Sequence, residues 1–168
     1  MSSVEPAVAV MNLLYNNWSI GNPAQDTGIG ADQGIATKNP SKVHFTNRWF
    51  APVPQRLHPH QITVRPLTKP YKPIQIGSIT KYSNFEQIAI HVWVLPNPQL
   101  TIETAHVDLY NMLTEIRRII RILGETAGSG IQHILLSPWQ DKSELDKDAP
   151  RLHMEARATA IIFEMSTS

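Results

Sequence analysis

No cysteine occurs among the 168 residues. That absence removes disulfides, thiolate metal sites and cysteine nucleophiles together, and it fits a reducing compartment. Net charge is scarce too. Lys and Arg number 15 against 14 Asp and Glu, a formal +1, which lacks the basic excess of a dedicated nucleic-acid binder but leaves room for a local basic patch. No run approaches the roughly 18 apolar residues that a membrane span needs. The opening MSSVEPAVAVMNLLYNNW has no basic n-region, carries Glu5, and its short apolar run is broken by Asn12. It is a poor match to a secretory leader. The expectation is a soluble protein made in the cytoplasm, with no membrane partner.

Catalytic signatures are missing as well. No serine sits in G-x-S-x-G, so the nucleophile elbow of many hydrolases is not there. The stretch DTGIGADQGIATKNP holds Gly28, Gly30 and Gly34. A dinucleotide fingerprint needs its third glycine one residue earlier, with a strand before and a helix after. The run from Gly124 to Gly130 lacks the Lys-Ser/Thr pair of a phosphate loop and follows a helix. Both runs read as flexible segments, the first as part of a projecting arm. The carboxylates between 141 and 148 are spread along a charged loop with nothing to shift their pKa values. His44, His58 and His60 lie close in sequence, but zinc needs about four ligands with supporting groups. With no cysteine and no carboxylate adjacent in sequence, no metal is assigned. His91 and His133 read as polar-face residues of strands. The expectation is a protein that is not an enzyme and has no cofactor.

What the chain does have is 42% hydrophobic residues, enough for one domain with a proper core, spanning 1–168. Its thirteen prolines concentrate between Pro40 and Pro98. Proline has no amide donor, so that region cannot be continuous helix or central strand. Residues 21–60 read as a long loop or arm, because they show almost no periodicity. Loops of that length tend to be functional or disordered, yet Phe45, Trp49 and Phe50 are aromatics that a disordered linker usually lacks. Trp49 and Phe50 either dock onto a partner or cover the domain's own core.

The periodic segments give the fold class. Val10, Leu13, Leu14 and Trp18 share one face of a helix over 4–18, with Ser3 as its cap and Pro6 in its first turn. Trp18 is a core anchor, or else packs on a neighbouring subunit. Strands are expected at Gln61–Pro66, Gly77–Tyr82 and Phe85–Leu95, with a hairpin turn at Ser83–Asn84. In the last of these Ile88, Ile90, Val92 and Val94 alternate with Gln87, Ala89, His91 and Trp93. The clearest helix is Ile102–Leu123, capped by Thr101 and stopped by Gly124. Its stripe is Ile102, Ala105, Leu109, Met112, Leu113, Ile116, Ile120 and Leu123. Arg117, Arg118 and Arg121 read as a solvated helix end that favours the dipole. Strands then follow at Ile131–Trp139 and Leu152–Met165, joined by the charged loop DKSELDKDA. In the last strand Leu152, Met154, Ala156, Ala158, Ala160 and Ile162 face one way and His153, Glu155, Arg157 and Thr159 the other. Glu155 and Arg157 suggest a structural ion pair across strands or subunits. Together these elements predict an α+β domain: a mostly antiparallel sheet of about five strands, a long helix on one face and a short N-terminal helix.

This order of elements resembles the tail terminator, or tail-completion, proteins of long-tailed phages and related viruses. The resemblance runs from MNLLYNNW through FEQIAIHVWVL and HVDLYNMLTEIRRIIRIL to EARATAIIFEM. It implies a virion protein of the tail and neck, made in the host cytoplasm. Such a protein forms a ring of copies, hexameric, that caps the tail tube and meets a neck or connector protein, with DNA only as passing cargo. The residues expected at subunit or partner contacts are Trp49, Phe50, Arg117, Arg121, Glu155 and Arg157. Rival readings are a head–tail connector or neck protein of similar topology, a small ligand-binding domain with an apolar pocket between helix and sheet, and an enzyme centred on His44, His58 and His60.

Overall fold

The computed structural model describes residues 5–18, 43–46, 59–67, 74–76, 81–128, 130–145 and 150–165. Helix α1 spans Pro6–Asn16 and begins after Glu5, whose side chain makes no cap. Proline at its start is tolerated because that amide has no helical partner. Asn17 closes the far end by donating Nδ2 to the Leu13 carbonyl at 2.8 Å. The helix is thus shorter at both ends than the expected 4–18, and Ser3 falls outside the described residues. Trp18 lies just past the helix, half-buried, and packs against the core.

The described residues form seven strands: β1 His44–Thr46, β2 His60–Pro66, β3 Ile74–Ile76, β4 Lys81–Val94, β5 Ile131–Leu136, β6 Gln140–Asp141 and β7 Leu152–Met165. The sheet order is β1-β2-β4-β7-β5, with β3 beside the start of β4 and β6 beside the start of β7. Among the described residues only the β1–β2 pair is parallel. The long strands β4 and β7 pair over their whole length, from Lys81 opposite Met165 to Val94 opposite Leu152. This central ribbon is flanked on each side by two shorter strands, β2 and β3 along β4 and β5 and β6 along β7. The α+β architecture is the expected one, mostly antiparallel, with helices on one face.

Three expectations about strands need correction. Ser83 and Asn84 are not a hairpin turn; they sit inside β4, opposite Phe163 and Ile162. A partner strand that supplies the ladder overrides their turn preference. The strand placed at Gly77–Tyr82 is replaced by β3 upstream and by the start of β4, with 77–80 outside the described residues. The strand placed at Ile131–Trp139 breaks after Leu136, because Pro138 cannot donate to the ladder. The segment read as a loop over 21–60 contains β1, and the glycines at 28, 30 and 34 lie outside the described residues. Asp141, placed in the charged loop, pairs in β6.

After β4, Asn97 reverses the chain: its Oδ1 accepts from the amides of Gln99 and Leu100, both at 2.8 Å, an Asx turn. Helix α2, Ile102–Leu123, follows, with Thr101 Oγ1 accepting from the Thr104 amide at 3.3 Å. Gly124 does not end it in a left-handed turn. Its φ is −55°, and the chain runs on into a 3-10 turn, Gly124–Thr126. The positive φ values fall at Gly128 and Gly130, where glycine avoids a steric cost and lets the chain swing into β5.

The core lies between the helices and one sheet face. Val10, Leu13 and Leu14 of α1 and Leu109, Met112, Ile116, Ile119 and Ile120 of α2 pack on Ile62, Val64, Ile88, Ile90, Val92 and the small Ala158 and Ala160. Met154 packs at its margin. The alternation read in β4 and β7 is therefore the real partition of the sheet. Ile102, expected at the head of the helical stripe, is exposed instead.

Candidate functional site

The sheet face away from the helices carries polar chemistry. Register places Arg65, Ala89 and Arg157 in one cross-strand row, Thr63, His91 and Glu155 in the next, and Gln61, Trp93 and His153 in a third. Arg65 Nε donates to His91 Nε2 at 3.0 Å. Arginine has no acceptor, so this contact fixes the tautomer: the His91 proton sits on Nδ1 and is donated to His153 Nε2, 2.9 Å away. Trp93 stacks on both imidazoles, with centroids 5.1 Å from His91 and 4.4 Å from His153. Gln61, Thr63, His91 and Glu155 are all buried.

Burial is the main reason that His91 is driven from 6.5 down to about 4. Glu155 opposes that shift, while His153, Arg65 and Lys142 reinforce it. His153 is lowered too, again chiefly by burial. Both rings are therefore neutral at pH 7, as the directed chain from Arg65 requires. Burial works against ionisation of Glu155, but the hydrogen bond from Lys142 and the surrounding cations outweigh it and hold its carboxyl below the usual range. Lys142 Nζ lies 2.5 Å from Glu155 Oε2.

Beside this network the β5–β6 edge is interrupted. The Ser137 amide donates to the Arg157 carbonyl, and the Arg157 amide donates to Ser137 Oγ, both at 2.8 Å. The break opens a cavity of about 350 Å³ lined by Ser137, Pro138, Gln140, Glu155, Ala156 and Arg157. It lies at the sheet edge.

The expected contact residues divide sharply. Trp49 and Phe50 lie outside the described residues. Arg117, Arg121 and Arg157 are exposed. Glu155 is buried and bound to Lys142, not to Arg157. Arg118, read as part of a solvated helix end, is instead buried 3 residues along α2 from the equally buried Glu115, and the two form an ion pair. The signal was in the spacing: Glu115 falls three residues after Met112 and four before Ile119, on the buried arc. His60 has a carboxylate partner that lies 48 residues away in sequence, Asp108 of α2, with Nε2 2.8 Å from Oδ2. That contact ties the start of β2 to the helix. The His58 position and the His44 side chain lie outside the described residues. His133 is exposed. Among the described residues no group of three or more His, Asp or Glu could hold a metal ion.

Sequence reasoning also missed two exposed apolar surfaces. Val107 and Tyr110, 59% and 70% exposed, stand on the outer side of α2. Phe85 and Leu135, each 52% exposed, stand on the polar sheet face, flanking Thr159 and Ile161 of β7. The two surfaces belong to opposite layers of one domain. No protein-family model matches the chain, and no curated protein matches it in sequence.

Proposed function

We propose that this chain is a structural ring subunit of the tail-terminator kind. Copies of it would cap the tail tube of a virion and join it to a neck or connector protein, with DNA only passing through. The observation that carries this reading is the pair of exposed apolar surfaces on opposite layers, Val107 with Tyr110 and Phe85 with Leu135. A subunit with two different sticky surfaces associates head to tail, and such contacts close into rings when the rotation allows. A self-complementary patch would build a two-fold dimer instead. The exposed cations Arg117, Arg121 and Arg157 supply further polar contacts at low energetic cost. Among the described residues no helix is long and apolar enough to cross a membrane.

Light scattering on the purified chain, alone and mixed with tail tubes from the parent virion, tests this reading. The expected result is a closed ring, formed either spontaneously or on the tube, with capped tube ends in electron micrographs. A compact monomer or dimer indifferent to tubes would overturn it.

A further inference from the structure

The outer side of α2 and the polar face of the sheet match in spacing and charge. On the helix, Glu103, Val107 and Tyr110 fall at i, i+4 and i+7, one exposed stripe. At 1.5 Å per residue, Glu103 and Tyr110 stand about 10 Å apart along the axis. On the sheet, Phe85 shares a row with Ile161 and Leu135 shares a row with Thr159, while Arg157 lies further along β7. Four residues of strand from Arg157 to Ile161 span about 13 Å. Phe85 and Leu135 stand on the two strands that flank β7, about 10 Å apart across the sheet. That is a backbone separation, so the gap between the two side chains admits the side chains of one helical stripe. The result is a shallow trough floored by Thr159 and Ile161 with a cation at one end.

We propose that α2 of one copy lies in this trough of the next copy, with Val107 and Tyr110 seated between Leu135 and Phe85 and Glu103 paired to Arg157. This rests on the ring reading and specifies its contact. The charges also choose the direction. Reversing the helix would carry Glu103 away from Arg157 and bring Arg117, about 10 Å beyond Tyr110 along the axis, to within about one helical turn of it. Like charges held together at an interface disfavour that arrangement. Neither Glu103 nor Arg157 has a side-chain ion pair within the described residues of its own copy, so both are available to a neighbour. One copy cannot satisfy itself, because helix stripe and trough belong to opposite layers; the contact therefore propagates from subunit to subunit.

The test is a charge-reversal cycle read by sedimentation and light scattering, with circular dichroism to show that each variant is folded. Glu103→Arg and Arg157→Glu are each expected to weaken association at least about tenfold, and the double variant to recover most of it. Val107→Ser, at an exposed position, should weaken association with no loss of fold. If wild-type chain forms rings and the single reversals assemble equally well, this docking is wrong while the ring reading stands. Single variants that weaken without rescue in the double also overturn it. A wild-type chain that stays monomeric with and without tubes overturns both readings.

Discussion

The two faces of the sheet use opposite means to exclude water. Under the helices, Ile90 and its neighbours meet α1 and α2 through aliphatic contacts alone, and stability comes from area removed from water. On the other face His91 and Glu155 are also buried, and Arg65, His153 and Lys142 supply their directed hydrogen bonds and charge, while Thr63 Oγ1 is buried with no hydrogen-bond partner among the described residues. The first kind of burial tolerates reshuffling among apolar side chains. The second depends on protonation state and geometry, because an unpaired buried polar group costs more than a good hydrogen bond gains. One strand, β4, carries both kinds on alternate residues.

The helical layer should give the largest effect, and at its own exception. Replacing Glu115 by alanine leaves the Arg118 guanidinium buried without its carboxylate. The expected loss is about 3–5 kcal/mol in urea unfolding. A loss under about 1 kcal/mol would mean that the pair is solvated in solution. Ile90→Ala on the aliphatic face should cost about 2–4 kcal/mol through lost contacts and a residual void. The result should be insensitive to pH between 7.5 and 4.5, and a strong pH dependence of that cost would break the contrast between the faces.

Acid should act on the other face. The folded-state pKa of His91 is depressed to about 4 from 6.5, and His153 is lowered as well. Above pH 6.5 folded and unfolded chains carry these rings neutral alike. As pH falls below that value the unfolded chain takes up protons that the folded chain refuses, so stability declines until the folded-state pKa values are reached. His91 alone accounts for at most about 3 kcal/mol of that decline. The depressed Glu155 carboxyl adds a loss of the same sign at lower pH. In His91→Gln the drop in unfolding midpoint between pH 7.5 and 4.5 should shrink. Equal drops in variant and wild type would show that His91 is not the group refusing the proton.

The fold was legible wherever burial imposes a period. Helix α2 and strand β7 begin and end where the apolar spacing put them, since each buries one whole face. Strand β1 gave no signal because three residues paired in parallel leave no alternation to read. Ser83 and Asn84 misled for a different reason: turn preference is local, while the β7 ladder opposite them is 78 or more residues away. The polar network was half visible. Face assignment put His91 and Trp93 together, and His153 with Glu155, but no sequence spacing could show that β4 and β7 would set His91 against Glu155. The exposed apolar pairs were hidden because Val107 and Tyr110 sit among helix formers, and Leu135 beside Ile134 and Leu136 in an apolar run that shows no alternation.

The interruption of the sheet edge at Pro138 has a kinetic consequence. Proline removes a backbone donor there, and a single hydroxyl, Ser137 Oγ, holds the Arg157 amide in place of a carbonyl. A hydroxyl rotates about one bond, whereas a ladder carbonyl is fixed by the strand on either side. In amide hydrogen exchange the Arg157 proton is therefore a weak point between the β5 and β6 ladders of β7, able to exchange by one rotamer flip while amides paired to strand carbonyls beside it wait for a larger opening. The residue that offers its charge to the next copy is thus held at the sheet edge by a side-chain hydroxyl, a rung more easily released than the ladder bonds beside it.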